Sequence, residues 1–304
     1  MNTPSTDERS AVSGQTSVVR PFYWSVWREV WENHSIYVAP AIVAVVTLIG
    51  FFFSTVGLPE RRLAVLSLGT EKARAGIEAP YDAAAIILIF TAFVVGVFYC
   101  LDALHGERRD RSILFWKSLP VSDLTTLLSK ATIPLAIVPL VTFAMIITTQ
   151  LVMLLWTSIL LMASGMSPGS TWTTIPWIQN WLVLVYGLVA IALWHAPIYG
   201  WALLISGWAR RATFLWAVIP PFAIAIFEKV TFNTSYVSAL LKERIFGFAP
   251  NAFDFGGHRD MAVDSFIQLT PGRYLSATGL WVGLIFAAVF VFAAIRLRRY
   301  RGPI

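Results

Sequence analysis

The chain has 304 residues, of which 57% are hydrophobic, 14% aromatic and only 13% charged, and its formal net charge is +6. A soluble domain carries about 25% charged residues, so this composition argues against a soluble globular enzyme and points to a membrane. The single cysteine, Cys100, leaves no means of building an intramolecular disulfide, a cysteine zinc cluster or a dithiol redox pair.

Residues 1–19 are polar, with the run TPSTDERSAVSGQTS. They lack the apolar core of a signal peptide and read as a flexible cytoplasmic tail. Residues 20–34 read as an amphipathic helix. At about 100° per residue, Tyr23, Trp24, Val26, Trp27, Val30 and Trp31 fill one half of the wheel, and Ser25, Arg28, Glu29, Glu32 and Asn33 fill the other. Three tryptophans on one face predict a helix lying in the membrane interface on Trp24, Trp27 and Trp31. Packing on a cytoplasmic partner is the alternative.

Residues 35–304 then hold six apolar runs, placed at Ile36–Val56, Ala83–Leu104, Ile133–Ala163, Ile178–Trp208, Ala212–Phe227 and Tyr274–Ile295. A span needs about 20 apolar residues. The expected fold is therefore an all-α membrane protein with six transmembrane helices preceded by an interfacial helix. Pro134, Pro139 and Pro197 are expected kinks. The fifth run, at about 1.5 Å per residue, looks short for a bilayer. Of the 23 basic residues, 14 fall on the side that carries both termini and the connections after the second and fourth runs, and 9 on the other. The positive-inside bias then places both termini in the cytoplasm. The basic balance is explained by orientation, and no nucleic-acid partner is expected.

The cytoplasmic connection 105–130 is charged and then apolar. Arg108, Arg109 and Arg111 follow the second span, where simple headgroup anchoring accounts for them. Ile113, Leu114, Phe115, Trp116 and Leu119 form an apolar cluster too short to cross anything. Pro120 ends it, and Ser122 with Asp123 is an N-cap signal for a helix leading into the third span. A short apolar helix outside the bilayer needs a protein groove, either on a partner or on the chain's own cytoplasmic ends. The outer connection 228–273 is too long for a plain loop; it holds Tyr236, Val237, Leu240, Leu241 and Ile245 at near-helical spacing, and then PNAFDFGGHRD. Glu228 and Lys229 are a candidate polar gate, with termination at the headgroups as the plainer reading. Asp102 and His105 are expected at the inner interface, paired with Arg108 or Arg109, and His195 mid-membrane with a partner.

The segment YCLDALHGERRDRSILFWKSLPVS, Tyr99–Ser122, resembles the first cytoplasmic loop of ABC-2-type permeases, the membrane subunits of a class of ATP-binding-cassette exporters. The six-run layout, the preceding amphipathic helix and the large outer loop are similar too, so the resemblance covers nearly the whole chain. It implies that Glu107, Arg108, Arg109, Asp110, Arg111, Ser112, Ile113, Leu114, Phe115, Trp116, Lys117 and Leu119 form a coupling helix seated in a cleft of an ABC-type ATPase subunit. It also implies a second permease copy as a dimer partner, short re-entrant helices in the outer loop, and a multi-pass location in the bacterial cytoplasmic (inner) membrane among its lipids. No G-x-x-x-x-G-K-[ST] phosphate loop occurs in the sequence. ATP and Mg are therefore expected in the partner ATPase, with no cofactor or metal in this chain and no catalytic constellation of its own. A membrane anchor for a cytoplasmic complex, or an ion-coupled secondary transporter, are the competing classes.

Overall fold

The computed structural model describes residues 19–57, 70–118, 121–254 and 266–300. No β-strand forms among them; one antiparallel bridge joins Phe253 to Leu269. The helices are α1 (Val19–Glu32), α2 (Ser35–Ser54), α3 (Thr70–Ala103), α4 (His105–Arg109), α5 (Ser112–Ser118), α6 (Asp123–Thr132), α7 (Val138–Ala163), α8 (Gly169–Thr174), α9 (Trp177–Trp208), α10 (Thr213–Phe232), α11 (Tyr236–Phe246), α12 (Phe248–Ala252), α13 (Pro271–Ser276) and α14 (Thr278–Tyr300).

Six rods are long and apolar enough to cross a membrane: α2, Lys72–Arg109, Asp123–Ala163, α9, α10 and α14. This is the architecture of a multi-pass membrane protein, in which helices satisfy every backbone donor within the segment. Ser122 caps α6 as its sequence signals, its Oγ accepting from Thr125 N at 3.0 Å. Pro134 and Pro139 each remove one backbone donor, and the ladder is re-registered between α6 and α7 as a π-turn over Ile133–Ile137. Pro197 lies inside α9 without ending it.

Two boundaries depart from the sequence expectation. α3 begins at Thr70 rather than near Ala83, because its polar first turns consist of good helix formers tied by an Arg74–Glu78 pair of 3.0 Å. α10 runs to Phe232, so the fifth rod has 20 residues and a length of about 30 Å. It is not short, and Glu228 and Lys229 belong to the helix rather than to a loop.

α9 and α14 form the most extensive helix pair. They run parallel: Gly200 lies against Ala287, and Gly207 near Leu297. A Cβ at Gly200 would sit 3.1 Å from Ala287 O, so glycine is what allows this close approach. The end of α3 is pinned to the end of α9 by Ser206, whose Oγ accepts from Leu104 N at 3.0 Å and His105 N at 2.9 Å. One end of the bundle thus gathers α1, α4, α5, α6 and the C-terminal turns of α9 and α14. The opposite end gathers α8 and α11–α13.

At that opposite end α11 doubles back alongside α10. Glu228 caps it: Oε1 accepts from Thr234 Oγ1 and Tyr236 N, and Oε2 from Val237 N, each at 2.7 Å. The far end of α11 reaches the middle of α9, where Trp194 Nε1 donates to Glu243 O at 3.2 Å and His195 Nε2 lies 3.1 Å from Ile245 O. Arg244 donates to Trp194 O at 3.2 Å and Gly279 O at 2.9 Å. Gly283 makes room for its guanidinium, since any Cβ there would collide with Arg244.

Candidate functional site

Among the described residues, a dense polar network lies at the end of the bundle that holds α1 and α4–α6. Glu29, on α1, is 1% exposed, and Lys130, in the last turn of α6, is 2% exposed. The Lys130 ammonium donates to both Glu29 oxygens at 2.8 and 3.0 Å, and lies 3.1 Å from Glu107 Oε1 on α4. Tyr99 Oη donates to Glu29 Oε2 at 2.8 Å, and Arg28 pairs with Glu29 at 2.6 Å. Arg298, near the end of α14, closes the other side, 3.4 Å from Glu107 Oε2 and 3.3 Å from Asp123 Oδ1.

The network sets three cations, Arg28, Lys130 and Arg298, among the carboxylates Glu29, Glu107 and Asp123, with the more exposed Glu32 3.6 Å from Arg28 at its edge. Burial alone would push the Glu29 carboxyl up. The Lys130 ammonium and then Arg28 more than offset this and hold it below the usual carboxylate range. Separating such a pair leaves an uncompensated buried charge, so α1, α4, α6 and α14 are bound to move together.

Sequence reading missed this site. Glu29 and Ser25 look like the solvent half of an amphipathic wheel, yet both are buried. Lys130 looks like an ordinary charge at the border of a span. The available signal was weak: opposite charges at several rod ends, all on one side of the bundle. The tryptophan half of α1 does face outward, with Trp24, Trp27 and Trp31 all exposed, while Val26 and Val30 pack on the core around Ile36, Tyr99 and Cys100.

The residues expected to couple to a partner divide into two groups. Glu107, Arg108 and Ile113 are buried within the chain. Arg108 is not a headgroup anchor; its guanidinium donates to Gly207 O at 2.8 Å and Ala209 O at 3.3 Å, covering the carbonyl end of α9. Arg109, Asp110 and Arg111 are exposed, and Arg109 pairs with Asp110 at 3.0 Å. Arg111 takes a left-handed φ of 59° and turns α4 into α5. Ser112 is half-buried, its Oγ 3.4 Å from Glu107 O. Leu114 and Phe115 face outward from α5 at 58% and 60% exposure. Trp116 and Lys117 lie on α5 with side chains outside the described residues, as does Leu119 altogether.

Asp102 pairs with neither expected arginine, because Arg108 turns to α9 and Arg109 to Asp110. His105 Nδ1 is 3.4 Å from Ala209 O. His195 finds partners, Ile191 O at 2.8 Å and Ile245 O. Glu228 is occupied by the α11 cap, and Lys229 follows it on the same helix. Cys100 is fully buried. Among the described residues no group of three or more His, Cys, Asp or Glu is placed to hold a metal.

The chain matches no known family profile, no curated protein and no solved structure.

Proposed function

We propose that this chain is the transmembrane permease subunit of an ATP-driven exporter of the ABC-2 type, moving substrate outward while a separate ATPase subunit docks on the segment 105–130. In this reading the rods of the bundle cross the cytoplasmic membrane with both termini inside, α1 lies in the inner interface on its tryptophans, and two permease copies enclose the pathway. ATP and Mg belong to the partner.

The observation that carries the reading is the contrast within one short segment. α5 turns Leu114 and Phe115 outward, while Glu107 and Arg108, a few residues before it, are tied to α6, α9 and α14, and to α1 through Arg28, 3.8 Å from Glu107 Oε1. A docked partner pulling on α5 would therefore load the rods that hold α6 and α14 and the interfacial helix through the ion network, and α9 through the Arg108 hydrogen bonds. A passive anchor needs the exposed face and has no use for that linkage.

The test is the double substitution Phe115→Ala with Trp116→Ala. Buried aromatic anchors commonly cost about 2 kcal/mol or more on truncation at an interface. The variant is expected to insert normally, to release the ATPase or uncouple its rate from substrate, and to abolish export. Normal export with the ATPase bound would place coupling elsewhere, with Arg210–Arg211 the next contact to examine. Retention of a bound cytoplasmic complex whose ATPase rate never responds to substrate would favour the anchor.

A further inference from the structure

A cleft of about 360 Å³ opens where the start of α2, the last turns of α3 and the start of α10 meet, lined by Asn33, Ser35, Phe98, Asp102, Thr213 and Phe214 among others. Its volume lies in the usual range for small-molecule sites, about 300–1,000 Å³. It borders the ion network at Tyr99, which lines the cleft and donates its hydroxyl to Glu29, but Glu29 and Lys130 are buried whereas Asp102 is exposed.

Three features make the cleft chemically specific. Asp102 is the one charged residue on its wall, and among the described residues it makes no ion pair: Arg108 is engaged at Gly207, and Arg109, bound to Asp110, acts on Asp102 only through space. Gly106 lies close enough that a Cβ there would be 3.2 Å from Asp102 Oδ2, so the carboxylate rests on a position without a side chain. Phe98 and Phe214 stack with centroids 5.7 Å apart and planes within 5°. The turn into α10 is made by Ala212 at φ 51°, a left-handed conformation that residues other than glycine hold only where their surroundings impose it, commonly at ligand sites. Ala212 directly precedes the two α10 residues on the wall.

The helix ends meeting here cancel in pairs. The starts of α2 and α10 present partial positive charge and the ends of α1 and α3 partial negative, so the full charge of Asp102 sets the sign of the cleft. No lining side chain is cationic, which leaves a phosphate without a partner. A carboxylate beside a pair of phenyl rings suits a cation with an apolar body, attracted by the charge and by the ring faces. Asp102 is one turn or less from Leu104, which is fixed at the C-terminal end of α9 by Ser206. In the proposed orientation that level is the inner headgroup boundary, where such an amphiphile accumulates.

We infer that this cleft binds lipophilic organic cations arriving from the inner leaflet. What the binding is for rests on the exporter reading; whether it occurs does not, because it is measured on this chain without an ATPase.

The test compares tetraphenylphosphonium with tetraphenylborate, two ions of nearly the same shape and opposite charge. Binding is measured on the full chain in phosphatidylcholine nanodiscs after subtracting empty nanodiscs. Saturable binding of the phosphonium and none of the borate is expected. Asp102→Asn should weaken the phosphonium by about tenfold or more, Asp102→Glu should retain most of it, and Phe214→Ala should weaken it with the charge intact. Each variant is checked for an unchanged helical spectrum and elution volume. Equal binding of the two ions, or an Asp102→Asn variant that binds like the parent, would overturn the proposal. So would a phospholipid found by native mass spectrometry that the phosphonium does not displace. A bound ATPase whose rate never responds to substrate on the parent chain, with phosphonium binding intact, would reject the exporter reading alone.

Discussion

Lys130 sits between two carboxylates from different parts of the chain, Glu29 and Glu107, at 2.8 and 3.1 Å. Its removal by Lys130→Met leaves Glu29 buried without its main counter-ion, a loss of about 3–5 kcal/mol for a broken buried pair. Adding Glu29→Gln removes the stranded charge, so the double variant is expected to melt above the Lys130→Met single in detergent. A double variant that melts as low as the sum of its parts would show that the two residues are uncoupled. The same carboxyl predicts an acid limb. Its folded pKa lies below the usual value, so its contribution is fully present above the ordinary carboxylate range, near about pH 4. That contribution is lost as the pH falls through the folded value. The melting temperature of the parent should drop more steeply below that range than that of Glu29→Gln, as read by thermal melts across an acid series.

The elements follow the sequence where the signal is local. Apolar runs gave the rods, and Ser122 marks the start of α6 to the residue. The end of α10 was not legible, because Glu228 and Lys229 look like a stop when the helix in fact continues to Phe232 and uses Glu228 to cap α11. Nor was the buried face of α1, because pairing Glu29 with Lys130 joins residues 101 apart in sequence, which no periodicity reports. That correction alters the proper control for the proposed membrane contact of α1: Glu29 and Ser25 are core, whereas Glu32 and His34 are exposed. Replacing Trp24, Trp27 and Trp31 by Glu removes apolar area worth about 25 cal/mol per Å² from the proposed membrane face. It should impair insertion or assembly, while Glu32→Ala with His34→Ala should not; equal membrane yields would argue against a helix lying on lipid. At the other end, Arg244→Leu removes two of the hydrogen bonds that hold α11 on α9 and α14. Hydrogen exchange over residues 236–246 should quicken in that variant and stay unchanged over α2.

At the scale of the whole molecule, the six rods and the position of the insert were legible from hydropathy and charge. The linkage between them was not, since it depends on which border charges meet. The structure also sharpens the topological claim, because it separates two accessible positions to opposite ends of the bundle. Ser112 follows the α4–α5 turn beside the ion network, and Ser235 stands in the turn between α10 and α11, which α10, at about 30 Å, holds away from the α9–α10 turn. Ser235 is the better probe on its side, because the neighbouring Thr234 hydroxyl is bound to Glu228. The native Cys100 is fully buried and should not compete for reagent. A cysteine at Ser112 should react with a membrane-impermeant maleimide only when the cytoplasmic face is open, and one at Ser235 only from the outside. If both react from the same side of sealed vesicles, the three rods between them, Asp123–Ala163, α9 and α10, do not all cross the bilayer. The exporter orientation then fails together with the assignment of α1 to the inner interface, whereas the buried network, which holds α1, α4, α6 and α14 whatever surrounds them, would stand.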